Sequence, residues 1–147
     1  MNVDLHRSRK PLAPPLLLLA LLLGCSQPDG PVRYPVEGQV LYQGRPVAEA
    51  RVVFHPQAEP DAQLPKPQAE TDAEGRFKLT TLKPGDGAVP GPYMITVELR
   101  ALRQIGEETV RDGRNLLPSR YGDPVKSGLS YEVQEGENQL PPLELKR

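Results

Sequence analysis

From Tyr34 onward, hydrophobic and polar residues alternate with a period of two. Val36, Gly38, Val40 and Tyr42 fall on one face, and Glu37, Gln39 and Leu41 on the other. Arg51-Val52-Val53-Phe54-His55 is rich in β-formers and is stopped by Pro56. Its register is open: either Val52 and Phe54 or Val53 faces inward. Phe77 and Leu79 alternate with Arg76, Lys78 and Thr80. Tyr93, Ile95, Val97 and Leu99 alternate with Met94, Thr96, Glu98 and Arg100, the pattern of a half-buried antiparallel strand. Leu129, Tyr131 and Val133 alternate with Ser130, Glu132 and Gln134, and Leu143–Lys146 closes the series.

Turn chemistry punctuates these runs. Gly44 in Gln43–Pro46 and Gly75 in Thr71–Phe77 suit positive φ, and Asp72 is placed to bond its own backbone. Tyr121–Pro124 and Gln134–Asn138 are further turns. Gln57–Glu70, with Pro60, Pro65 and Pro67, reads as an exposed loop, and Lys83–Pro92 as a second. Ala101–Arg120 reads as a long loop or excursion: Leu99, Leu102 and Ile105 are spaced for one helical turn, and Gly106 and Gly113 argue against more. Short alternating strands between Gly/Pro turns predict an all-β fold, an antiparallel β-sandwich of roughly seven strands. Its expected core is Val36, Val40, Val52, Phe54, Phe77, Leu79, Tyr93, Ile95, Val97, Leu129, Tyr131 and Leu143.

The first residues follow another pattern. His6, Arg7, Arg9 and Lys10 stand against the single Asp4, and a run ending Leu16–Leu23 follows, then Gly24 and Cys25. These are the parts of a secretory signal, too short in its apolar run for a bilayer span of roughly 20 residues. Leu22-Leu23-Gly24-Cys25 resembles a bacterial lipobox. The resemblance implies a signal peptide over residues 1–24, cleavage between Gly24 and Cys25, and diacylglycerol on the Cys25 thiol. A free cysteine beside an ordinary cleavage site is the other reading. Ser26, rather than Asp, points to the outer membrane under the proteobacterial sorting rule. Residues 25–33 then form the lipidated cysteine and a Pro/Gly tether, extended and mobile, reaching about 25–30 Å at roughly 3.3–3.6 Å per residue. Residues 34–147 form the β-sandwich domain.

Composition narrows the function. Eighteen prolines and 13 glycines argue against long helices. One cysteine leaves no internal disulfide and no cysteine-based metal cluster. A net charge of −1, with basic and acidic residues mixed, gives no nucleic-acid track. Beyond the signal, His55 is the one histidine, which argues against zinc and makes a strand-end surface residue the simpler reading. Asp72, Glu74 and Gly75 resemble a fragment of a calcium loop, but Arg76 follows at once; a turn is the simpler reading and a weak Ca²⁺ site the other. Gly85, Gly87 and Gly91 lack dinucleotide-binding spacing and precede a strand.

Five blocks, Tyr34–Val47, Val52–Pro56, Thr71–Phe77, Asp86–Tyr93 and Leu117–Tyr121 with Ser127–Ser130, resemble the small lipoproteins common in Planctomycetes. Their domain is similar to carboxypeptidase-regulatory-like and transthyretin-like sandwiches. The resemblance implies a prealbumin-like sandwich and no activity, since such folds host many functions. The hydroxyisourate hydrolases of that fold end Tyr-Arg-Gly-Ser, whereas this chain ends Glu144-Leu145-Lys146-Arg147. No catalytic residue, metal or cofactor is therefore expected. The expected partners are the membrane, through the lipid, and an envelope protein or glycan, with no nucleic acid. The expected location is the cell envelope, at the outer membrane. A small-molecule or glycan carrier, or an enzyme using the three long loops, is the alternative.

Overall fold

A computed structural model describes residues 30–58 and 64–147. Gly24, Cys25, Ser26 and the signal segment lie outside the described residues, as does Pro60.

The domain is an all-β sandwich of short strands. The first strand, β1 (Val36–Tyr42), is the hub of one sheet. It turns through Gln43 (φ 52°) and Gly44 (φ 74°) into β2 (Arg45–Pro46), a two-residue hairpin of the kind with φ > 0 at both central positions. β3 (Arg51–Pro56), β4 (Gln68–Glu70) and β5 (Arg76–Lys78) follow, then the long β6 (Gly91–Glu98). β7 (Arg103–Ile105) and β8 (Glu108–Val110) make a separate hairpin. β9 (Ser130–Val133), β10 (Asn138–Gln139) and β11 (Leu143–Leu145) complete the chain. The second sheet has the order β4-β3-β6-β9, antiparallel throughout.

In the first sheet β5 and β2 pair antiparallel with β1, while β10 and β11 pair parallel with it. Alternation cannot reveal direction, so the sequence pattern gave antiparallel pairing where the C-terminal strands run the other way. Pro141 and Pro142, which have no N–H to give a ladder, separate β10 from β11. Val36 faces Asn138 but Val40 faces Leu143, so one residue is absorbed at the prolines.

Ten of the twelve expected core residues are buried; Leu129 and Tyr131 are half-buried, because β9 is the edge strand of its sheet. Val52 and Phe54 take the inward register. Val47, Ala50, Leu117, Tyr121, Val133 and Leu145 join the core. The two sheets meet through aromatic rings: Phe54 on β3 stands edge-on to Phe77 on β5 at 6.5 Å and lies 5.7 Å from Tyr93 on β6. Phe77 has room because its cross-strand neighbour is Gly38, where a Cβ would come within 2.7 Å of the ring.

Polar side chains fix the connections. Buried Thr71 accepts from the Ala50 N–H at 2.8 Å and donates to the Val47 carbonyl at 2.6 Å. Asn138 donates to the carbonyls of Pro35, Gln134 and Gly136 and accepts from the Gln134 N–H. Asp86 organises the Lys83–Pro92 loop: its carboxylate accepts from the backbone of Thr81, Leu82 and Lys83 and pairs with Arg33 at 2.8 Å. The Arg33 pair ties the last residue of the predicted tether onto the domain. Beyond Asp86 the backbone presses so closely on Tyr34 that a Cβ at Gly87 would lie 1.7 Å from the Tyr34 carbonyl oxygen.

Ala101–Arg120 is an excursion, as expected, but Leu99, Leu102 and Ile105 form no helical turn. Arg100 bridges Asn115, and the Ala101 N–H donates to the Arg114 carbonyl, closing the base of the β7–β8 hairpin. A 3-10 turn at Ser119–Gly122 then inserts Tyr121 into the core. The Tyr121 hydroxyl accepts from the Lys146 N–H at 2.7 Å and from Arg120 at 3.0 Å, clamping the end of β11.

Two outcomes are expected. Phe77→Ala should cost about 3–5 kcal/mol, the range for a buried large-to-small change, measured by urea unfolding; a wild-type midpoint would remove the ring from the core. For Asp86, burial pushes the carboxyl up, but the backbone amides and Arg33 outweigh it and hold it below the ordinary carboxylate value. Its stabilisation is present above the unfolded value near 3.9 and is lost as pH falls from there through the lower folded value. Asp86→Asn should cost about 1.5–3 kcal/mol at neutral pH, the scale of hydrogen bonds to a charged group. It should also flatten this part of the acid-unfolding profile. An unchanged profile would show that the charge does not hold the loop.

Candidate functional site

His55 closes the outer face of the second sheet rather than standing free at a strand end. One ring nitrogen, Nε2, lies 2.9 Å from the Thr96 hydroxyl, and Lys66 Nζ lies 3.2 Å from Nδ1. An ammonium can only donate, so Nδ1 is the acceptor and the ring proton sits on Nε2, which donates to Thr96. Thr96 was expected to face solvent; it is buried beneath this contact. Burial, and then the Lys66 charge, hold the His55 pKa below its usual value. The ring is thus neutral, but its free lone pair is taken by Lys66 and its proton points at Thr96. A nucleophile–base pair needs the opposite polarity, with the hydroxyl giving its proton to the ring. The cluster is built as a strut.

The other sequence candidates are also structural. One Asp72 carboxylate oxygen accepts the Glu74 and Arg76 N–H groups, and Gly75 takes φ 72° where a Cβ would meet the Val40 carbonyl at 2.6 Å. That is the turn reading. Among the described residues, no group of three His, Cys, Asp or Glu side chains could hold a metal ion. Gly85 and Gly87 have positive φ and serve the Asp86 loop, with no helix behind them to face a phosphate.

Two concavities lie at opposite ends of the sandwich. At the end where the chain enters, a groove of about 230 Å³ is walled by prolines: Pro31, Pro56, Pro65, Pro67, Pro90 and Pro92, with Tyr93 at its base. Among the described residues, Lys66 is the one charged residue of its lining, and Thr81 and Tyr93 carry hydroxyls. The Tyr93 hydroxyl is directed to the Val89 carbonyl at 2.8 Å and presents no free donor. The volume is below the roughly 300–1,000 Å³ of drug-sized ligand sites, and the lining offers few polar groups to orient a ligand.

At the far end, a shallower cleft of about 570 Å³ runs between the β1–β2 hairpin and the return of the excursion. Tyr42, Gln43 and Arg45 line one side; Leu99, Leu116 and Leu117 line the other. It couples an aromatic ring and hydrogen-bonding side chains to an apolar wall. The β7–β8 hairpin is moored beside this end by an ion pair from Arg111 to Glu49. Sequence reasoning missed both concavities. The only available signals were the density of prolines in Gln57–Glu70 and Lys83–Pro92 and the pair Leu116-Leu117.

No family model matches the sequence, and no curated protein matches it. Among solved structures, the chain is similar to a DUF3823 family protein from Parabacteroides merdae ATCC 43184, with 13% identity and a TM-score of 0.40, over 80% of this chain and 47% of that one. It is similar to BcpA, the major pilin subunit of Bacillus cereus, with 13% identity and a TM-score of 0.45, over 79% and 30%. A protein from Pseudomonas aeruginosa designated as carbohydrate-binding gives 18% identity and a TM-score of 0.40, over 82% and 99%. The chain spans about half the length of the first of these and about a third of the second. At these identities the likeness is one of β architecture.

Proposed function

We propose that this chain is a lipoprotein, held in the cell envelope by acyl groups on Cys25, whose β-sandwich is a non-catalytic interaction or structural module. The observation that carries the reading is the sequence Leu22-Leu23-Gly24-Cys25 at the end of a leucine run, with the only cysteine of the chain in last place. Two or more acyl chains give stable attachment, at about 0.8 kcal/mol per buried CH₂. No helix among the described residues is long and apolar enough to cross a membrane. Ser26, where an Asp would favour the inner membrane under the proteobacterial sorting rule, supports an outer-membrane anchor.

The domain's side chains favour binding over turnover. His55 and Thr96 are bonded with the wrong polarity for attack, and the Asp72 and Asp86 carboxylates bond backbone amides of their own loops. The far cleft is the surface best suited to a partner, because its loops sit on a rigid scaffold and join Tyr42 to hydrogen-bonding groups. That lining suits a peptide or a glycan of the envelope.

Intact mass of the protein taken from membranes should show a chain starting at Cys25 with the added mass of acyl groups. Cys25→Ala should lose that mass and change processing. An unmodified chain beginning elsewhere defeats the anchor. A photo-crosslinker at Gln43 in intact cells should recover one defined envelope protein or glycan. Turnover of an envelope substrate by the purified protein, abolished in His55→Ala, would replace this reading with an enzyme.

A further inference from the structure

We propose that the proline-walled groove and its rim are a membrane-docking surface, seated on the lipid bilayer itself, so that the domain stands with the far cleft directed away from the membrane. The proposal rests on the lipid anchor at Cys25 and adds the orientation that the anchor imposes.

The argument starts from where the described chain begins. Pro31 is part of the groove wall, and Gly30 is seated next to Leu64, a Cβ there lying 3.7 Å from its Cδ2. Arg33 is fixed by Asp86, so the chain cannot swing away from this end without breaking a largely buried ion pair. Only four residues, five Cα–Cα steps, separate Gly30 from Cys25. At roughly 3.3–3.6 Å per step these span at most about 18 Å, so an acyl group on Cys25 holds the groove within that distance of the bilayer. β1 runs from this end to the far one, about 20 Å at roughly 3.3 Å per residue. The far cleft cannot then be brought to the lipid unless the domain inverts on its short leash.

The chemistry of this end suits an acyl surface. Val32 and Leu82 are exposed large hydrophobics, Pro65 and Pro90 are exposed beside them, and Leu64 and Val89 line the groove. Proline offers an apolar surface and no N–H to desolvate, so a proline-rich rim enters the headgroup boundary with few unmet hydrogen bonds. The nearby Asp86 carboxylate is satisfied by Arg33 and backbone amides and presents no bare anion to the lipid. Lys66, exposed at the rim, keeps two N–H donors for a lipid phosphate beyond the one it gives His55, while the apolar residues sit roughly 5–10 Å into the interface.

The chain contains no tryptophan, so a single introduced Trp reports its own depth. The full lipidated chain would carry Val32→Trp, Leu82→Trp or, at the far end, Leu102→Trp, all exposed positions. Each would be reconstituted in vesicles of phosphatidylethanolamine and phosphatidylglycerol with brominated acyl chains. Emission at positions 32 and 82 should shift to the blue and fall by roughly twofold or more, as for side chains within the acyl boundary. Emission at position 102 should stay as in non-brominated vesicles. Quenching at 102, or none at 32 and 82 while the protein is acylated and floats with the vesicles, overturns the orientation alone. A protein that carries no acyl group and does not float overturns the anchor, and the orientation with it.

Discussion

The sandwich depends on one contact between its sheets, the edge-on meeting of Phe54 and Phe77. The chain has two phenylalanines and no tryptophan, and both phenylalanine rings are buried in this core. Both are placed by backbone. Phe54 faces inward because β3 pairs with β6 in the register that sets it opposite Ile95. Phe77 lies across β1 because Gly38 leaves the space. A small aliphatic set of valines and leucines packs around this pair, and the sheets approach closely enough to share it.

Much of this was legible in the amino-acid order, for a physical reason. Wherever one face of a strand meets the core and the other meets water, burial writes a period of two into the chain, as in Tyr93–Glu98 and Arg51–His55. Turns were legible where geometry demands special residues, at Gly44, Asp72 and Gly75. What alternation does not encode is the neighbour. The parallel pairing of β10 and β11 with β1 joins residues about a hundred positions apart, and nothing local specifies it. Asn138, Thr71 and Tyr121 were likewise invisible as structural bonds, because each satisfies backbone groups brought together only by the fold. The β7–β8 hairpin was hidden because its residues are almost all exposed, so burial imposes no period on them.

The functional surfaces follow the same rule. The Asp72 turn was read correctly because its partners lie within a few residues. The groove draws its walls from Pro31, Pro56, Leu64–Pro67 and Val89–Tyr93, four stretches that no spacing relates. His55 shows how a residue gains meaning once neighbours are known: alone it reads as a strand-end surface residue, but between Lys66 and Thr96 it is a spacer whose proton already has a place.

The seam between β1 and the last strands joins a segment made early to segments made about a hundred residues later. Until Leu143–Lys146 is in place, β1 lacks β11, Tyr121 has no Lys146 amide to accept from, and a row of backbone donors and acceptors stands open. Such an open edge recruits other strands or proteases. A chain with this seam closed therefore differs from one with it open in kind rather than degree, and quality control can separate them without reading a single side chain of the binding surfaces.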